Sequence, residues 1–199
     1  MLAEPLSLGF DTSAAHCAAA LLQGDRVLAQ AQEDMARGQA ERLMPLLQDL
    51  LAQAGVGWRD LSVIGCGTGP GNFTGIRIAV AAARGLSLSL GIPAVGVGRA
   101  EAAAHGLARP CRVLLPARDG EVLWQDFGPG LDSRPRQGAV HDLPPGPPVH
   151  RHPLLPLAEA IARIALDRRA APGLPRPAPI YLRPADAAPA RDRGPVMLP

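Results

Sequence analysis

Gly67-Thr68-Gly69-Pro70-Gly71-Asn72-Phe73-Thr74-Gly75-Ile76-Arg77 is the stretch that decides how this chain folds. Upstream, Leu61 to Cys66 reads as a buried strand. Downstream, Ile76 to Leu90 predicts a helix with almost no charge. Four glycines and a proline between positions 67 and 75 require a backbone that turns sharply and admits no bulk. Thr74 is the expected N-cap, accepting a bond from an orphan amide of the first helical turn. A strand, a glycine loop and a helix N-terminus together make a potential anion site.

The two usual phosphate-loop patterns fail here. A P-loop needs lysine after its last glycine, and this chain contains no lysine. The dinucleotide fingerprint needs glycine three residues after its second glycine; Gly67 and Gly69 fit, but Asn72 stands in the third place. No acid lies between Asp60 and Glu101 to hold a ribose hydroxyl. A structural loop is the first reading and a ligand loop the second.

Outward from the loop, the N-terminal half has a definite order. Leu6 to Phe10 is a short apolar strand ending at Asp11-Thr12-Ser13; His16 to Leu22 and Arg26 to Gln32 are two more, joined by the turn Gln23-Gly24-Asp25. Helical spacing through Leu43, Leu46, Leu47, Leu50, Leu51 and Ala54 predicts a helix over 40–54, with Pro45 in its first turn and Gly55 as its stop. Ile92 to Val97 is a strand and Arg99 to His105 a short helix. Residues 1–106 therefore form an α/β lobe with a mixed sheet, of the actin-like or sugar-kinase-like (ribonuclease H-like) kind. Residues 107–153 form a reduced second lobe: strands at Arg112–Leu115 and Val122–Phe127, then a proline-rich 128–153 with little regular structure. Residues 154–199 supply a helix over Leu154–Arg169, which is expected to pack back on the first lobe. A strand at Ile180–Pro184 and a loose tail complete the chain.

Composition narrows the function. Net charge is +2, which gives no strong attraction to nucleic acid or membrane. Aromatics are 3% of residues, so the core must be aliphatic and alanine-rich. Cys17, Cys66 and Cys111 are widely spaced in apolar runs and are expected to be buried free thiols of a reducing compartment. The start Met1-Leu2-Ala3-Glu4-Pro5 shows no basic leader region, and no run of 18 uncharged apolar residues occurs. A soluble cytoplasmic protein is expected.

Asp11-Thr12-Ser13, the segment Gly69–Arg77, Gly120-Glu121-Val122-Leu123-Trp124 and the terminal Tyr181-Leu182-Arg183 together resemble the bacterial TsaB (YeaZ) family, over almost the whole chain. The resemblance implies an actin-like ATPase fold. It implies a subunit of the machinery that makes tRNA threonylcarbamoyladenosine, in which the paralogue TsaD carries the chemistry and the ATPase TsaE joins. It also implies pairing with TsaD through the first two helices and a homodimer through the same face when alone. Transfer RNA is met only through the complex, and no membrane is involved. No cofactor is expected in this subunit, with ATP and magnesium entering at the level of the complex. The chain departs from the family at Gln39-Ala40, where histidine with serine or threonine is usual. It also has Pro116-Ala117-Arg118 in place of Asp-Ala-Arg.

Asp11, Thr12, Ser13, Gly69, Gly71, Asn72, Thr74, Gly75 and Arg77 are the candidate remnants of a nucleotide loop. Asp11 either positions a magnesium-bound phosphate or caps amides of its own turn. Arg77 either meets an anion or pairs with a surface acid. Arg42, Leu43, Leu46, Leu47, Leu50, Ala79, Ala82, Ala83 and Leu86 are the candidate partner interface. The second helix has apolar or small residues nearly all round, which suggests that its outer face is covered too. No catalytic residue is expected. His150 and His152 lack nearby acids or cysteines, so no metal is expected there. No zinc motif or G-x-S-x-G elbow supports a peptidase. A small ATP-dependent phosphotransferase using Asp11 and the glycine loop is the alternative to a non-catalytic scaffold.

Overall fold

The structure, a computed structural model, describes residues 4–182. The expectations for Arg183, Pro184 and the tail lie outside the described residues. Three strands, β1 (Leu6–Asp11), β2 (His16–Gln23) and β3 (Arg26–Asp34), form an antiparallel meander. Two more, β4 (Leu61–Gly67) and β5 (Ala94–Val97), add in parallel beside β1, giving the order β3-β2-β1-β4-β5. Between them run α1 (Gln39–Ala54) and α2 (Phe73–Leu90). The central β1 and its neighbour β4 are in register at Phe10 and Cys66, so the Asp11 turn and the glycine loop leave the sheet side by side. This is where parallel strands usually offer a site.

Both faces of this sheet are covered. Leu8 and Phe10 of β1 point into a cluster with Leu43, Leu47, Leu51, Ile76, Ala79 and Ala83 of α1 and α2. Each large side chain removed from water there contributes about 2 kcal/mol. The opposite face carries α4 (Leu157–Arg168). Gly9 and Gly65 admit that helix: a Cβ on Gly9 would lie 2.4 Å from the Ala158 carbonyl oxygen and 2.5 Å from the Ala162 nitrogen. The small faces of Ala158, Ala162 and Ala165 complete the fit, which is why this alanine-rich helix returns to the first sheet.

Several boundaries differ from the sequence expectations. Helix α2 begins at Phe73, and its N-cap is Asn72, whose side-chain oxygen accepts the Gly75 N–H at 2.9 Å; Thr74 is an exposed first-turn residue. Asn72 outcompetes Thr74 because its carbonyl reaches the amide three residues on. Helix α1 begins at Gln39, so Pro45 lies in its second turn rather than its first, on the exposed face. There the backbone carbonyl deprived of a helical donor sits near solvent. Gly55 stops α1, with its N–H on the Ala52 carbonyl at 3.1 Å. Residues 180–182 form no strand; Ile180 instead donates its N–H to the Thr68 carbonyl at 2.8 Å.

The second sheet has the order β8-β7-β6-β9. It comprises β6 (Cys111–Pro116), β7 (Val122–Phe127), β8 (Arg136–Gly138) and β9 (Val149–His150), and α3 (Arg99–Ala103) links it to the first. Segment 128–153, expected to be nearly irregular, thus supplies two short strands. One buried cation holds it. Arg112 is 3% exposed and forks onto Asp126 (Nε at 2.5 Å, an Nη at 2.7 Å) while its other Nη reaches the Pro144 carbonyl at 2.5 Å. Arg112→Met is expected to cost about 2 kcal/mol, because Asp126 and the Pro144 carbonyl lose their donors together. A denaturant midpoint equal to that of the parent would refute this role.

All three cysteines are free and buried. Burial, with a smaller push from the Asp11 charge, raises the Cys66 thiol to about 12; burial and then Glu33 raise Cys17 to about 11. Both thiols are expected to ignore a disulfide reagent at about pH 8 until the chain unfolds. Because the folded values exceed the unfolded one of 9.0, the thiols leave stability unchanged below pH 9.0 and lower it as pH rises from 9.0 towards about 11 and 12, where the unfolded chain ionises first. Prompt labelling in the native state would show that the core opens locally.

Candidate functional site

The glycine loop and the Asp11 turn meet face to face, without space between them. Asp11, Thr12 and Ser13 are 0–1% exposed. The Asp11 Oδ1 accepts the Ser13 N–H (2.9 Å), the Ser13 hydroxyl (3.0 Å) and the His16 Nε2–H (2.7 Å). Thr12 donates its hydroxyl to the Gly75 carbonyl at 2.6 Å, and the Asn72 N–H donates to the Ser13 carbonyl at 2.6 Å. Added Cβ atoms would lie 1.8 Å from the Asp11 Oδ2 at Gly67, 2.2 Å from the Ser13 oxygen at Gly71 and 1.9 Å from the Thr12 oxygen at Gly75. These glycines are required by close backbone approach. Gly69 adds a turn at φ 86°.

Two further residues of the loop are tied to the rest of the chain. Thr68 donates its N–H to Val97 at 2.9 Å and accepts from Ile180; Gly69 accepts the Arg99 N–H at 2.7 Å. The loop thereby ties β1, β5, α3 and the segment before residue 182 into one junction. Of the loop candidates, the structure brings together Asp11, Thr12, Ser13, Gly69, Gly71, Asn72 and Gly75. It leaves Thr74 and Arg77 on the outside of α2. Among the described residues no acid pairs with Arg77: its guanidinium lies 3.8 Å from the Phe73 ring centroid and donates through Nε to the Tyr181 hydroxyl at 3.1 Å. The Phe73 and Tyr181 rings stand 4.9 Å apart, so this trio clasps the chain near residue 181 to the start of α2.

The interface candidates need correction. Leu43, Leu46, Leu47, Leu50, Ala79 and Ala83 are 0–2% exposed in the single chain. Their helical spacing marks the face laid on the sheet, not a face open to a partner. Ala82 and Leu86 are half-buried beside the core, and Arg42 is held by Glu33 (2.7 Å) and Asp49 (3.0 Å). The open surface of α2 runs instead through Thr74, Arg77, Ala81, Arg84, Gly85 and Leu88, with Leu88 86% exposed. Met44 (41% exposed), Pro45 and Gln48 face out from the adjoining α1. Helix α2 is long and apolar enough to cross a membrane, yet it lies along the sheet with Ile76, Ala79, Val80 and Ala83 buried.

Among the described residues, no three His, Cys, Asp or Glu side chains gather as a metal site. Sequence reasoning missed His16, which donates to Asp11 at 2.7 Å; its only signal was a polar residue opening β2 beside that turn.

A meander extended by two parallel strands, with helices on both faces and a second small sheet, defines an actin-like α/β protein. The family model described as TsaD, tRNA N6-adenosine threonylcarbamoyltransferase, matches residues 27–131, more than half of the chain. The chain belongs to this family, on its TsaB (YeaZ) branch. It is 36% identical over 125 residues to the tRNA threonylcarbamoyladenosine biosynthesis protein TsaB of Escherichia coli, covering 60% of this chain and 54% of that protein. It is also 36% identical over 121 residues to the TsaB of Bacillus subtilis, covering 58% and 52%. The chain thus spans about half the length of the curated relatives it matches. A crystal structure from Pseudomonas aeruginosa, described as an uncharacterized protein with similarity to peptidase YEAZ, superposes with a TM-score of 0.72 at 28% identity. That superposition covers 90% of this chain and all of the other.

Proposed function

We propose that this chain is a non-catalytic subunit in the biosynthesis of tRNA threonylcarbamoyladenosine, and that it holds the catalytic paralogue TsaD in its active form. The pathway follows from the relatives named TsaB. The observation that supports a scaffold role is the outer face of α2: small or apolar residues at Ala81, Gly85 and Leu88, edged by Arg84, with no acid in the whole helix. A surface helix of an isolated protein ordinarily carries mixed charge there. Small residues let a second helix come close, and Leu88 supplies an anchor for its apolar side. Pairing uses this ridge and the neighbouring Met44, not the leucines of α1. The same face pairs two copies when TsaD is absent. TsaE joins the assembly, ATP and magnesium act there, and tRNA is met only through the complex. The setting is the cytoplasm.

The phosphotransferase alternative needs a phosphate beside Asp11. That carboxylate is already taken by its own turn, and the facing loop is in direct contact with it. The test is ATP turnover. Turnover by TsaD that depends on added chain, with none by the chain alone, is the expected result. Turnover by the isolated chain that disappears in Asp11→Asn would replace the scaffold reading with the phosphotransferase one.

A further inference from the structure

The outer face of the second sheet is closed by a proline-rich strap, Leu143-Pro144-Pro145-Gly146-Pro147-Pro148, which leads into β9. On that face the cross-strand pairs Arg112–Asp126, Leu114–Trp124 and Pro116–Val122 of β6 and β7 stand in a row. Leu114, Val122 and Trp124 are buried there, on the side away from the cluster that Val113, Leu115 and Leu123 form with α3, and Leu143 packs on them. Leu143, Pro144, Gly146 and Pro147 each precede a proline, which biases them to extended backbone; Leu143 has φ −63° and ψ 120°. Half-burial falls on Pro144 and Pro147, whereas Pro145, Gly146 and Pro148 are exposed. That spacing of three is the period of a polyproline helix laid along a surface. The strap's carbonyls are also met: Pro144 accepts from the Arg112 guanidinium at 2.5 Å and Pro148 from the Arg112 N–H at 2.8 Å. An aromatic side chain, inward prolines and donors to the backbone carbonyls are the means by which aromatic-lined grooves take proline-rich ligands. The strap nevertheless leaves one group of this face unmet. The Trp124 Nε1–H is buried and has no acceptor among the described residues. An indole N–H can only donate, and leaving it unpaired away from water is costly.

We propose that the outer face of the second sheet is a docking site for an extended proline-rich segment of a partner protein, and that the strap is the internal segment which this partner displaces. The partner supplies what the strap does not, a backbone carbonyl for the Trp124 indole, while its prolines take the places of Pro144 and Pro147. The strap of a second copy has the same sequence and would leave the same donor unmet, so exchange between copies is not the favoured use of the face. Because the strap is tethered, it competes at an effective concentration on the order of millimolar, and a partner segment binds well only where the strap is loosened or outmatched.

The test uses the full chain, labelled at the indole nitrogens of Trp58 and Trp124, and titrates it with an oligoproline peptide of about ten residues. A glycine-serine peptide of equal length is the control. Leu143→Ala removes the strap's apolar anchor without touching the sheet. In that variant the Trp124 indole resonance is expected to move saturably with oligoproline, while Trp58, which donates to Gln48 on α1, stays still. The parent is expected to bind at least about tenfold more weakly, because its intact strap competes. A Trp124 resonance that stays still in Leu143→Ala, equal movement with the glycine-serine peptide, or equal affinity in parent and variant would overturn the proposal. A doubling of mass by Leu143→Ala without peptide would make a second copy the occupant and overturn the partner reading. Pro147→Ala loosens the strap at its other half-buried contact and carries the same test if Leu143→Ala folds poorly.

Discussion

Gly75→Ala is expected to destabilise the chain by roughly 3 kcal/mol, while Gly85→Ala, ten residues on in the same helix, stabilises it by up to about 1 kcal/mol. Both replace glycine by alanine in α2, and intrinsic helix preference favours alanine by about 1 kcal/mol at each. The surroundings separate them. At Gly85 nothing lies within 4 Å of the new methyl group, so the preference acts alone. At Gly75 the methyl would sit 1.9 Å from the Thr12 carbonyl oxygen, a backbone atom that cannot rotate aside. Relief requires α2 to move away from the Asp11 turn. That movement stretches the Thr12–Gly75 and Asn72–Ser13 bonds, each 2.6 Å and the first of them buried. Overpacking at about 1–3 kcal/mol plus a lost buried bond at about 1–3 kcal/mol outweighs the helical gain. Denaturant unfolding of the two variants checks it. Equal shifts of the same sign would mean that the loop and the turn are not pressed together.

Leu88→Glu is expected to leave the fold unchanged to within about 0.5 kcal/mol and to weaken pairing with TsaD by about a hundredfold. Leu88 is 86% exposed, so the single chain loses no core contact. In a helix-to-helix interface the same position would bury a carboxylate, and pairing with Arg84 one turn back would not recover the cost of taking that charge out of water. Ala82→Glu is a less clean probe, since Ala82 is half-buried beside the core and perturbs folding as well as pairing. A complex of Leu88→Glu with parent affinity would move the interface off this ridge.

The fold was largely legible because its signals are local. A glycine-proline cluster after an apolar run, a polar trio after β1 and a Gly24 hairpin each announce a backbone event within a few residues. The site was less legible because its geometry depends on contacts across distance. Nothing near Gly75 says that Thr12 will lie against it, 63 positions away. Helical spacing in α1 correctly marked an apolar face, but spacing alone does not say whether that face meets the chain's own sheet or a partner; the leucines meet the sheet. Thr74 and Asn72 are both good caps, and only the helix start distinguishes them. Arg77 found Tyr181, a partner 104 positions on.

Mass by light scattering decides whether the outer face of α2 joins this chain to TsaD. The chain is measured alone, mixed with the TsaD of the same organism, and again as Leu88→Glu. A one-to-one complex that forms at the expense of any self-pairing, and is lost in Leu88→Glu, is the expected result. A strict monomer that ignores TsaD, or a complex that tolerates Leu88→Glu, would contradict it.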